Sequence, residues 1–119
     1  MNSQVFWTFG FAINEGQFED FKILMEEMIA ATEINEPGTI CYEWTISNDN
    51  TQCHIHERYI DSYAAISHLK TFVDKYADRL MGLGKATHFI VYGNPNSEAK
   101  AMLDGFGAVY LSSIGGFHR

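Results

Sequence analysis

Positive charge is what this chain has least of: Lys and Arg total 8 against 15 Asp and Glu, a net charge of −7, with no run of basic residues. Nucleic acid and anionic membranes both require a basic footprint, so neither is an expected partner. Cysteine is scarcer still, represented by Cys41 and Cys53, and no second Cys or His pair follows at the spacing of a structural zinc site. Both are expected as free thiols. No apolar run approaches the roughly 20 residues that span a bilayer, and Met1-Asn2-Ser3-Gln4 lacks the basic segment and apolar stretch of a secretory leader. The expectation is a cytoplasmic protein. Repeats, linkers and low-complexity tracts are also missing. What remains, 119 residues of which 46% are hydrophobic, suits one compact domain with a modest core and leaves no room for a second.

β-Branched and aromatic residues open the chain. Val5 to Ile13 holds no breaker and reads as a strand with Val5, Trp7, Phe9, Phe11 and Ile13 on one face. The opposite face, Phe6, Thr8, Gly10 and Ala12, is mostly small, so both faces are expected to be covered. Asn14, with Gln17 three residues on, predicts a capped helix running to about Thr32 or Asn35 on a stripe of Phe18, Phe21, Met25, Met28 and Thr32, joined by Leu24 and Ile29. Pro37-Gly38 ends it. Two strand-like runs flanking Asn48-Asp49-Asn50 predict a β-hairpin. A helix follows from Asp61 or Ser62, with Ile66, Leu69, Val73, Tyr76 and Leu80 at helical spacing up to Gly82 and a break allowed near Lys70 or Thr71. Ala86 to Tyr92 is a fourth strand, closed by Gly93-Asn94-Pro95.

This order, β-α-β-β-α-β, is the ferredoxin-like α+β arrangement with an antiparallel sheet. Helices on one face leave the other bare, which predicts a homodimer through the sheet face. Residues 1–93 make up this domain and 94–119 a C-terminal extension, with Ser97 capping a helix through Leu103 and Val109-Tyr110-Leu111 a brief extended run. The extension is too apolar for a disordered tail, so it is expected to pack on the same domain or on the partner.

If the hairpin turns on Asp49-Asn50, Trp44 faces Ile55, Tyr42 faces Glu57 and Ile40 faces Tyr59. One face then carries Ile40, Tyr42, Trp44, Ile55, Glu57 and Tyr59, and the other Cys41, Glu43, Thr45, His54, His56 and Arg58. Cys41 and Cys53 fall on opposite faces, which argues against a disulfide between them. The aromatic stripe serves equally as core or as the wall of a small-molecule pocket. Glu57 is harder to place in a core, because a carboxylate among rings must be paired, bonded to a tyrosine or held neutral. His68, on the following helix, is either a half-exposed histidine bonded to a backbone carbonyl or a general base that removes a phenolic proton. His54 and His56 point to one side of a strand opposite Glu43, and such a trio either holds a metal or forms a pH-sensitive polar seam on the face that meets the partner.

Glu36-Pro37-Gly38, a tyrosine four residues after the glycine, Glu57-x-aromatic-x-Asp61, Ala64-Ala65 and His68 together resemble the antibiotic biosynthesis monooxygenase-type domain of the dimeric α+β barrel proteins. The resemblance covers about Val5 to Tyr92. It implies a dimer whose sheets pack together, with a pocket in each chain between sheet and helices. It also implies oxidation of quinols and polycyclic phenols by molecular oxygen without flavin or metal, so no cofactor is expected. His68 takes the place of the family's helix histidine, and Tyr59 stands where a tryptophan is usual, to stack on or hydrogen-bond the substrate. Trp7, Tyr42, Trp44, Glu57 and Phe72 complete the expected substrate-binding set. A related branch degrades haem with an asparagine on the first strand, where this chain has Thr8 and Phe9 instead. Haem binding, and non-catalytic binding of an aromatic metabolite, are the alternative readings.

Overall fold

A computed structural model describes residues 3–119; the reading against a leader rests partly on Met1 and Asn2, which lie outside the described residues. The chain runs β1 (Val5–Ile13), α1 (Phe18–Asn35), β2 (Thr39–Ile46), β3 (Gln52–Tyr59), α2 (Ser62–Lys75), α3 (Ala77–Met81), β4 (Gly84–Gly93), α4 (Ser97–Gly105) and β5 (Val109–Leu111). The strands form one sheet in the order β2-β3-β1-β4-β5. Its first four strands pair antiparallel in the ferredoxin-like order, and β5 adds to β4 in parallel. The brief extended run near the C-terminus is thus a fifth strand, which makes the sheet mixed. Among the described residues no helix is long and apolar enough to cross a membrane.

Alternation along β1 and β3 sorts the side chains as the sequence requires. Val5, Trp7, Phe11 and Ile13 of β1 and Cys53, Ile55, Glu57 and Tyr59 of β3 are all buried beneath the helices. Two core clusters result. One joins Val5, Trp7, Tyr59, Leu69, Val91 and Leu103, the other Phe11, Phe21, Leu24, Met28, Ile55 and Leu80, and Phe9 packs against both. The opposite face, with Phe6, Ile90 and Tyr92 among His54, His56 and Arg58, is only partly covered within one chain.

Four local expectations are corrected. Asn14 does not cap α1: Gly16 takes a positive φ of 80°, the chain turns through Asn14–Gly16, and the helix begins at Phe18 behind Gln17, which makes no side-chain cap bond. Ile40 does not face Tyr59, because a bulge between Thr39 and Cys41 places Thr39 there and leaves Ile40 exposed. The second helix breaks at Tyr76 rather than near Lys70, and Val73 faces solvent while Phe72 turns inward. Asn96, not Ser97, caps α4 by accepting a bond from the Ala99 amide. Elsewhere the turn chemistry holds, since Asn50 sits at φ 61° in the hairpin and Asp49 Oδ1 accepts bonds from Ser47 and Thr51.

The C-terminal extension contributes to the main core through Ala99 and Leu103, neither of which has any exposed surface. Leu103→Ala should therefore cost about 2–5 kcal/mol in urea unfolding, as for a fully buried leucine. A loss below about 1 kcal/mol would mark α4 as a peripheral attachment.

Candidate active site

The site lies where the two core clusters meet. Its floor is the sheet: Trp7 and Phe9 from β1, Tyr42 from β2, Ile55 and Glu57 from β3, and Phe89 from β4. Its roof includes His68 and Phe72 of α2, with Phe106 at its rim. The cavity measures about 50 Å³, room for a few waters and about a third of the roughly 150 Å³ of an apolar cavity that holds benzene.

Local folding explains how the polar groups arrive there. Asp61 caps α2 by accepting a bond from the Ala64 amide at 2.9 Å, which fixes the helix start two residues past β3. His68 then lies almost two turns along, on the face that looks at the sheet. Gly38 lets the α1–β2 turn press onto α2, since a Cβ there would stand 2.7 Å from the Ala64 Cβ. That approach brings Glu36 to His68, 32 residues away in sequence: Nδ1 lies 2.8 Å from Glu36 Oε1. On its other side Nε2 lies 3.2 Å from Glu57 Oε1. Tyr59 donates its hydroxyl to the same Glu57 oxygen at 2.5 Å, and Thr39 donates to Glu36 at 3.0 Å. Among the described residues Glu57 Oε2 makes no hydrogen bond, and Glu57 lines the cavity.

Charge decides the protonation of this cluster. Burial by itself would lower the His68 pKa, but hydrogen bonds to Glu36 and Glu57 and their negative charge outweigh it and raise the imidazole to about 9. Burial likewise opposes ionisation of Glu36, and the bond and charge of His68, with the Thr39 bond, hold its carboxyl below the usual range nonetheless. Burial and the Glu57 charge push the hydroxyls of Tyr42 and Tyr59 far above the ordinary phenol range. At neutral pH the cluster is therefore an imidazolium between carboxylates, with both tyrosines protonated. An imidazolium whose two nitrogens already donate cannot take up a further proton, so the group of this cluster that lines the cavity and can accept one is the Glu57 carboxylate.

Of the residues read from the sequence, Trp7, Tyr42, Glu57, His68 and Phe72 come together around the cavity. Tyr59 stands behind it, with no exposed surface, its ring 4.7 Å from Trp7 and its hydroxyl spent on Glu57. Trp44 lies outside, packed edge-on to Phe21 at 5.7 Å beside a separate groove near Phe18 and Met25. His54 and His56 lie on the open sheet face, where His88 meets His54 at 4.7 Å; among the described residues no group of His, Cys, Asp or Glu is arranged to hold a metal. Glu36 and Phe106 also belong to the site, and the sequence does not mark either as a site residue. The first opened the Glu-Pro-Gly turn, and only the tertiary contact shows its partner; the second carried no motif.

A ferredoxin-like α+β domain with a carboxylate–imidazolium–carboxylate cluster in an aromatic cavity is the class the fold and site define. No family model matches the sequence, and no curated protein matches it. Among solved structures it is similar to MupZ from Pseudomonas fluorescens, with 24% identity over 100% of this chain and 91% of that one and a TM-score of 0.86. It is also similar to a substituted form of SnoaB, a cofactor-independent oxygenase from Streptomyces nogalater: 15% identity, 80% of this chain, 96% of that one, TM-score 0.66. A third is a protein provisionally named an antibiotic biosynthesis monooxygenase, from Bacteroides thetaiotaomicron, with 19% identity over 73% of this chain and 85% of that one and a TM-score of 0.67. At these identities the likeness shows the fold: the chain has the ferredoxin-like fold of solved antibiotic biosynthesis monooxygenases.

The cluster makes stability depend on pH. A folded-state His68 pKa raised above its ordinary 6.5 contributes stability that is fully present below pH 6.5 and lost as pH rises through about 9. Glu36, pulled down from 4.5, contributes above that pH and loses its share as pH falls further. Urea unfolding should weaken by about 3 kcal/mol between those two His68 values, and His68→Gln should abolish this slope. A wild-type slope unchanged in the variant would mean that another group titrates.

Proposed function

We propose that the protein is a small cofactor-independent monooxygenase that oxidises a single-ring phenol or quinol with molecular oxygen. One observation carries the reading: a carboxylate, Glu57, that lines an aromatic cavity and is backed by a protonated imidazole. A neutral phenol entering the cavity gives its hydroxyl proton to Glu57. Electron density from the resulting phenolate then reduces dioxygen, a ring carbon forms a bond to oxygen, and the hydroperoxide loses water to leave a quinone. The substrate supplies the electrons, so the reading calls for no cofactor. Trp7, Tyr42 and Phe72 would hold the ring, and Tyr59 would act through Glu57 instead of stacking on the substrate. The likeness to a cofactor-independent oxygenase supports the reaction class. One ring needs the cavity to widen at its Phe106 rim, and the polycyclic substrates that the sequence resemblance implied exceed it by far more. A second copy of the chain would cover Phe6, Ile90 and Tyr92 on the open sheet face.

A haem-binding role fits the site less well, because both His68 nitrogens are engaged by carboxylates and the cavity is far smaller than a porphyrin. A different reading draws on the adjacency of a protonated imidazole and a carboxylate, which is the equipment for moving protons without oxygen, as in an isomerase or cyclase. Oxygen uptake by metal-stripped protein offered monocyclic phenols and quinols separates the two. Saturable uptake above autoxidation, with quinone as product, is expected, and Glu57→Gln should lower kcat by roughly a hundred- to ten-thousand-fold. Turnover that proceeds equally under argon would move the assignment to proton-transfer chemistry. Binding seen by tryptophan fluorescence with no turnover of any kind would leave a binding protein.

A further inference from the structure

The cavity is closed by a residue that the β-α-β-β-α-β unit does not supply. Phe106 follows α4, in the C-terminal extension, and its ring lies 6.2 Å from Phe72 and 6.3 Å from Phe89. It is 38% exposed, and it alone among the residues lining the cavity is exposed. One side of the ring therefore faces the cavity and the other faces water. Phe89 cannot play this part, since it is held on β4 between Trp7 and Phe9 at 5.5 and 5.9 Å.

The backbone that carries Phe106 is anchored on both sides. Ahead of it, Ala99 and Leu103 are fully buried and the Asn96 amide donates to Ser62 Oγ at 2.9 Å, tying the start of α4 to the start of α2. Behind it, β5 pairs with β4, and Tyr110 donates its hydroxyl to Asp104 at 2.6 Å. A backbone fixed in this way keeps the ring at the mouth as a wall, the partly exposed side chain has room to swing outward for one ring, and removing it opens the cavity outward to solvent instead of leaving a sealed void. We propose that Phe106 sets the size of the substrate, limiting it to one ring by closing the outer end of the cavity. This rests on the reading of the cavity as the substrate site and adds to it the feature that excludes larger rings.

The test uses the full chain with Trp44 replaced by Phe, so that Trp7 alone reports on the cavity. Quenching is titrated with phenol, 1-naphthol and 9-phenanthrol, a series of increasing ring number. The parent should bind phenol and reject 9-phenanthrol, whereas Phe106→Ala should gain roughly tenfold or more in affinity for 9-phenanthrol while phenol weakens. Phe106→Leu, a milder change, should admit 1-naphthol, and serves if the alanine variant folds poorly. Tyr110→Phe cuts the tie between α4 and β5 without touching the wall and should keep the parental order. The same order of affinities in parent and both Phe106 variants overturns the assignment of Phe106 while leaving the pocket as the binding site. Quenching by none of the three in any protein overturns the pocket reading, and this inference with it.

Discussion

The buried pairing of His68 with Glu36 and Glu57 is the constraint on which the rest of the site depends. Taking charges out of water costs several kcal/mol per ion, and only close partners offset it. Here each nitrogen of the ring has a carboxylate, and each carboxylate has a hydroxyl donor, Thr39 for Glu36 and Tyr59 for Glu57. Those donors come from β2 and β3, the imidazole from α2 and Glu36 from the turn after α1, so the cluster fastens four segments at one point. The local features around it serve that closure: a cap that starts α2 at once after β3, and a glycine that lets the turn touch Ala64.

The cavity exists because this polar cluster interrupts the hydrophobic layer. Along β3 the inward row reads Cys53, Ile55, Glu57, Tyr59, and the carboxylate stands where continuous core would otherwise run between the two apolar clusters. Large flat side chains fill space poorly around a fixed ion pair, and Trp7, Phe9, Tyr42 and Phe89 leave a gap there. The result is a mostly apolar space with few polar atoms, a composition that positions a small ring and offers it one acceptor.

Much of this was legible in the sequence because it rests on local rules. The turn at Asp49-Asn50 fixed the hairpin register, so Tyr42 opposite Glu57 and Trp44 opposite Ile55 could be read before any fold was known. The same arithmetic failed at Ile40, since a bulge leaves no mark on the alternation. Phe72 lines the cavity, but Val73 leaves the buried stripe that helical spacing predicts for it, because a break at Tyr76 resets the phase that links Val73 to Leu80. Glu36 shows the deeper limit. Its contact with His68 spans 32 residues and depends on how a turn and a helix approach in space, which no periodicity encodes. Phe106 is another such case: its helix could be foreseen, but the cavity it would close could not.

Electrostatics narrows what the cavity accepts. With Glu36 and Glu57 as carboxylates and His68 as imidazolium, the cluster carries one net negative charge away from water, which repels an anionic ligand and favours a neutral donor of hydrogen bonds. Proton transfer from a phenol to Glu57 would leave that net charge unchanged, moving it from a carboxylate to the phenolate oxygen beside the same imidazolium. The site would therefore not bury any new charge as the reactive anion forms, and His68, by keeping its proton, would hold a positive charge next to the electron-rich ring. A histidine that accepted the proton itself would first have to give up its bond to Glu36 or Glu57 and strand a buried carboxylate. On the proposed reading Glu57 is therefore the base, and His68 the fixed cation that stabilises the anion it forms.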